Sequence, residues 1–180
     1  MRAKIKQTKL PETSILNTSQ GYDYVDSFQG TYDDYNKTIS STVIGKSFFT
    51  SGPKWVGKLF NFRNKVVSVF GLKTSGSLEN REEQLKKFHC QPGERLGLFQ
   101  VYEKNDNEVI LGEDDKHLNF RISLLKEDTN NLNTKTLTIS TTVKFNNLFG
   151  RIYFAPVKPF HKIIVPKMLK AIICDIEKMN

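Results

Sequence analysis

From Phe149 to Ile176, apolar residues recur with a period near 3.6: Phe149, Ile152, Tyr153, Phe160, Ile163, Ile164, Met168, Leu169, Ile172, Ile173 and Ile176. A stripe this long must be buried, so the rest of the chain has to supply an apolar surface to receive it. Pro156, Pro159 and Pro166 interrupt the stripe. Inside an unbent helix each proline removes a backbone N–H and crowds the preceding turn, at about 3 kcal/mol. The expectation is a Pro-kinked helix or consecutive helical pieces, the last from about Pro166 to Lys178.

The receiving surface is legible just upstream. His117 to Leu125 alternates, with Leu118, Phe120, Ile122 and Leu124 on one face and His117, Asn119, Arg121 and Ser123 on the other. Thr136 to Phe145 alternates again, with Leu137, Ile139, Val143 and Phe145 opposing Thr136, Thr138, Ser140, Thr142 and Lys144. Leu96 to Tyr102 and Glu108 to Leu111 read as two earlier strands. Short turns between them predict an antiparallel meander with one apolar and one wetter face.

The first half is less regular. Residues 1–20 are basic and polar and read as a partly irregular arm, with a single domain expected over 21–180. Gly21 to Tyr32 favours a strand through its β-formers, although Tyr24, Asp26 and Phe28 share a face and spoil the alternation. Thr38 to Phe49 is β-branched like a strand, yet Ile39 and Val43, and Ile44 and Phe48, lie four apart as on a helix. Pattern alone leaves that stretch open. Ser51-Gly52-Pro53 signals a helix start, followed by Trp55, Leu59, Phe62, Val66 and Val69 at helical spacing, with Gly71 as the stop. Lys73 to Glu94 is turn-rich, with one or two helical turns expected from Glu82 to Phe88.

Gly112-Glu113-Asp114-Asp115-Lys116-His117-Leu118-Asn119-Phe120-Arg121 carries the densest chemistry in the chain. Carboxylates beside imidazole are metal-ligand types. Neighbouring strand residues point to opposite faces, however, so at most Asp115, His117 and Asn119 converge, and no metal is expected. Strand geometry splits the stretch into a turn, Gly112 to Lys116, and a one-sided row, His117, Asn119 and Arg121. That row either meets a ligand or locks the hairpin by ion pairing. For catalysis His117, His161 and Asp115 are weak candidates. No nucleophile motif is present. Neither GxGxxG nor GxxxxGKS occurs, and no cofactor is expected.

Composition narrows the function classes. The net charge of +8 is uneven: residues 147–180 hold six basic and two acidic residues, and residues 103–128 hold eight acidic and four basic ones. No nucleic-acid motif accompanies the basic end, so a solvated face is the better reading. No apolar run reaches 18 residues, so no membrane span is expected. The N-terminus lacks the apolar core of a signal peptide. Cys90 and Cys174 are too few for a disulfide framework, and a reduced, cytoplasmic setting follows.

Several islands together resemble a bacterial family catalogued as domain of unknown function 2867. They are Asp23-Tyr24-Val25-Asp26-Ser27-Phe28; Pro53-Lys54-Trp55-Val56; Arg63-Asn64; Phe70-Gly71-Leu72-Lys73; the decapeptide; Asn146 to Tyr153; and Pro159-Phe160-His161. The resemblance spans about Pro11 to Ile176, and this chain has Asn119 where the family usually has Asp. The family is similar to helix-grip proteins such as START domains and polyketide cyclases. That implies an α+β fold in which a curved antiparallel sheet grips a long C-terminal helix, and it favours helix for Thr38 to Phe49. It implies no reaction.

The leading functional expectation is a binding module for a largely apolar small molecule with an anionic or hydroxyl end. Asp114, Asp115, His117, Arg121, Tyr153 and His161 would line or brace the polar end, with Arg121 as the orienting cation. Trp55, Phe62 and Phe160 would form apolar walls. The alternatives are a cyclase, isomerase or hydrolase using a cavity histidine, and a structural or partner-binding domain. Oligomeric state is not legible.

Overall fold

The computed structural model describes residues 4–19, 21–51 and 81–179. The expected helix after Pro53, with Trp55 and Phe62, lies outside the described residues. Among the described residues, seven strands form one antiparallel sheet: β1 (Lys6–Thr8), β2 (Tyr24–Asp33), β3 (Arg95–Leu96), β4 (Phe99–Lys104), β5 (Glu108–Asp114), β6 (Leu118–Asp128) and β7 (Thr134–Phe145). Their order is β1-β2-β7-β6-β5-β4-β3. Among the described residues the α-helices are α1 (Ser41–Thr50), α2 (Arg81–Lys87) and α3 (Leu148–Ile176). A curved antiparallel sheet with a long C-terminal helix is the expected α+β architecture and is consistent with a helix-grip-like fold.

The meander extends further than the alternation suggests. β5 runs through Gly112 to Asp114, which the sequence reading gives to a turn, and only Asp115 to His117 form the bend. Gly112 permits this: a Cβ there would stand 2.2 Å from the Phe120 carbonyl oxygen on β6. The first expected strand divides into β3 and β4, separated by Gly97 with φ +60°. The N-terminal arm is partly ordered, with β1 pairing along β2. Further on, Ser14 Oγ (2.6 Å) and the Ile15 N–H (2.8 Å) donate to the wholly buried Glu108 carboxylate, which also accepts from Ser123.

Thr38 to Phe49, left open by pattern, is helical from Ser41 onward, in α1. Ser40 caps the helix by accepting the Val43 N–H at 3.3 Å. Ile44 and Phe48, four apart, are buried on one face. Phe48, Phe49, Phe88 and Phe99 meet edge-on at centroid distances of 5.2 to 5.7 Å. This packing outweighs the few tenths of a kcal/mol by which β-branched residues disfavour helix.

Of the two expectations for the last segment, a Pro-containing long helix or consecutive pieces, α3 is the first: one helix of 29 residues. At 100° per residue Pro156 and Pro159 fall on the side away from the buried residues, and Pro166 lies at the border of the buried face, about 20° from Ile173. Pro156 and Pro159 are exposed and Pro166 half-buried, so carbonyls freed by the missing N–H groups lie toward water rather than in the core. Two apolar clusters hold α3 to the sheet. Val165, Met168, Leu169, Ile172, Ile173 and Ile176 join the main core with Phe28, Ile139 and Leu124. Nearer the helix start, Phe154 joins a smaller cluster with Tyr24, Leu118 and Val143.

Candidate functional site

Strand register decides which residues can share a site. Leu124, Ile139 and Phe28 are cross-strand neighbours in the main core, so the face they mark is the helix-facing one. Tyr24, Asp26 and Phe28 are on it, with Thr141 directly opposite Asp26 and Ile122 opposite Thr141. Arg121 pairs in register with Thr142 and Gly112, on the other face.

The decapeptide divides accordingly. Arg121 stacks on the Tyr102 ring at 3.5 Å, pairs with Asp114 at 2.8 Å and donates to the Phe120 carbonyl at 2.9 Å. Burial and the hydrogen bond to Asp114 push the Tyr102 phenol up, so it stays a donor, with Asp114 Oδ2 at 3.0 Å. At the bend, Asp115 Oδ1 accepts the Lys116 N–H. The Asn147 side chain caps α3 by accepting the Gly150 N–H at 3.1 Å and lies within 3.3 Å of His117 Nδ1. Asn146 donates its backbone N–H to the His117 carbonyl at 2.9 Å and its amide to the Asp115 carbonyl at 2.7 Å. The His117 ring rests 4.5 Å from Phe149. A Cβ on Gly150 would stand 2.1 Å from the His117 carbonyl oxygen, so helix and bend are in backbone contact. This end of the decapeptide fastens the β5–β6 bend to the start of α3.

The other expected site residues separate. Tyr153 is half-buried beside the smaller cluster, and Phe160 is exposed on the outer side of α3. His161 is turned inward. Its Nδ1 lies 3.0 Å from Asp26 Oδ2, which also accepts the Tyr24 hydroxyl at 2.6 Å. Burial, then the hydrogen bond to Asp26, push the Tyr24 phenol well up, which keeps it a neutral donor. The Tyr24 ring also stands edge-on to His161. Thus His161 shares no site with Arg121, Asp114 or Asp115, and it gains Asp26 and Tyr24 as partners.

This inner corner has an unfilled requirement. Asp26 Oδ1 and Thr141 Oγ1 are buried and, like Tyr32 Oη and Thr142 Oγ1 elsewhere on the sheet, have no hydrogen-bond partner among the described residues; of these four only Asp26 and Thr141 face each other across strands. Each such atom costs about 1–3 kcal/mol. The two residues are cross-strand partners on one face, at the seam between the two apolar clusters. The apolar residues beside the seam, Phe99, Phe120 and Ile122, are only partly buried. Sequence reasoning did not select Asp26 or Thr141, although both carry a signal: each is a polar residue at an apolar-face position of an alternating strand.

A protein-family model described as "Protein of unknown function (DUF2867)" matches residues 18–168. The chain belongs to this family. The matched span contains Tyr24, Asp26, Thr141 and His161 as well as the decapeptide. No curated protein and no solved structure matches the chain. Among the described residues no helix is long and apolar enough to cross a membrane.

Proposed function

We propose that this DUF2867 chain is a binding module for a largely apolar small molecule whose polar end meets Asp26, Thr141, Tyr24 and His161. The observation that carries the reading is the pair of buried, unpartnered oxygens on Asp26 and Thr141. Buried polar groups are almost always satisfied, so a pair on one face argues for a bound partner. A hydroxyl suits them, because it donates to the carboxyl oxygen while accepting from the threonine. Partly buried Phe99, Phe120 and Ile122 would take the apolar body. Kinship with helix-grip proteins is part of this reading.

Isothermal titration with 1-decanol and with decanoate tests it. The alcohol is expected to bind at least about tenfold more tightly, since a carboxylate would face the Asp26 carboxyl. Asp26→Asn should narrow that gap. Tighter binding of decanoate, or no binding of either, contradicts the proposal.

A second reading rests on the Asp26–His161 contact. A carboxyl group that orients an imidazole through Nδ1 leaves Nε2 to move a proton, as a general base requires. It predicts hydrolysis of p-nitrophenyl decanoate above the uncatalysed rate, abolished by His161→Gln. Hydrolysis equal to the uncatalysed rate removes this reading and leaves the binding proposal standing.

A further inference from the structure

The outer side of α3 is apolar where a solvated helix should be polar. Leu148, Ile152, Phe160 and Ile163 are 72%, 62%, 55% and 54% exposed, half of the exposed large hydrophobics among the described residues. At 100° per residue, Leu148, Ile152, Pro156, Pro159 and Ile163 fall within an arc of about 80°, with Phe160 at its edge. Lys162 lies about 40° beyond one edge of this arc and Lys167 about 20° beyond the other, while Arg151 and Lys158 are turned about 60° and 80° beyond the first edge, toward the sheet. From Leu148 to Cys174 the sequence contains no Asp or Glu. Two of the cations have inward contacts: Arg151 pairs with Asp23 at 3.2 Å, and Lys158 stands 5.4 Å from the Tyr24 ring. Lys162 and Lys167 supply the charge nearest the crest.

We propose that this face of α3 seats the protein on an anionic lipid surface, with the helix lying in the plane of the interface. An apolar crest flanked by cations, on a helix that does not span, is the pattern that binds such surfaces. Charge selects this occupant over the others. A second copy packed crest to crest would bring like cations together, and a nucleic acid would set phosphates against isoleucine and proline. The inference is independent of the ligand reading, because it uses the opposite side of the helix from His161.

Co-sedimentation with vesicles tests it, using phosphatidylcholine alone and phosphatidylcholine mixed with phosphatidylglycerol. The protein should pellet with the mixed vesicles and be released by added salt. Ile152→Ser with Ile163→Ser should weaken partitioning at least about tenfold. Lys162→Gln should weaken it roughly fivefold, with the melting temperature unchanged. Leu132→Ser, at an 81% exposed position remote in sequence from the crest, should leave it unaltered. The proposal is overturned if folded protein ignores the mixed vesicles, or if Leu132→Ser weakens binding as much as the crest variants. Sedimentation equilibrium showing a dimer that Ile152→Ser with Ile163→Ser dissolves would also overturn it, assigning the crest to a second copy.

Discussion

The charged bend and the inner corner carry similar side chains and differ in whether those side chains are satisfied. Around Gly112 to Arg121, acids, histidine and arginine close on one another and on the start of α3. Around Asp26 the partners come from β2, β7 and α3, and two buried oxygens remain open among the described residues. A dense local cluster can satisfy itself, since its members are within reach along one hairpin. Groups brought together by tertiary structure must justify their burial another way, and an open acceptor there points outward to a ligand.

The strongest challenge to this contrast is steric. Gly150→Ala would drive a methyl group into the His117 carbonyl, and we expect a loss of roughly 3 kcal/mol, or about 10 °C of melting temperature. An unchanged melting temperature would mean that bend and helix are not fastened as described. Asn147→Ala removes the cap of α3 and the bond to the Lys116 carbonyl, with an expected cost of about 1–2 kcal/mol by denaturant melting. Arg121→Ala should cost about 1 kcal/mol through the lost Tyr102 stack and the part-exposed Asp114 pair. It should leave decanol binding intact.

An effect diagnostic at high pH belongs to Tyr24. Its folded pKa lies above its unfolded value because burial and Asp26 disfavour the phenolate. The stability it contributes is therefore fully present below about pH 10 and is lost as pH rises toward the folded value. Tyr32, likewise raised by burial and Asp34, adds to the same slope. Tyr24→Phe should flatten the alkaline fall without abolishing it. An unaltered slope would place the Tyr24 hydroxyl in water.

Much of the architecture is written locally. Alternation in His117 to Leu125 and Thr136 to Phe145 marks two strands, and the apolar recurrence of the last segment marks the helix that covers them, although Ile152, Phe160 and Ile163 of that stripe are exposed rather than buried because they fall on the outer side of the helix. The continuity of α3 is less legible, because each proline removes a backbone N–H and reads as a break wherever it falls on the helix. The site is legible only as defects. Asp26 spoils the pattern of Tyr24 and Phe28, and Thr141 leaves a gap between Ile139 and Val143. Joining them needs the β2–β7 register, which no single-strand pattern contains. His161 was visible as a residue, but its partner lies 135 positions away in the chain. Charge density marks Arg121, whose Asp114 and Tyr102 partners already answer it.

Native mass spectrometry of the purified protein tests the central claim directly. The account predicts a co-purifying small molecule on the unaltered chain and on Arg121→Ala, and its loss from Asp26→Asn, with that variant within about 1 kcal/mol of the parent in stability. Retention by Asp26→Asn together with loss from Arg121→Ala would contradict the account and return the site to the charged bend.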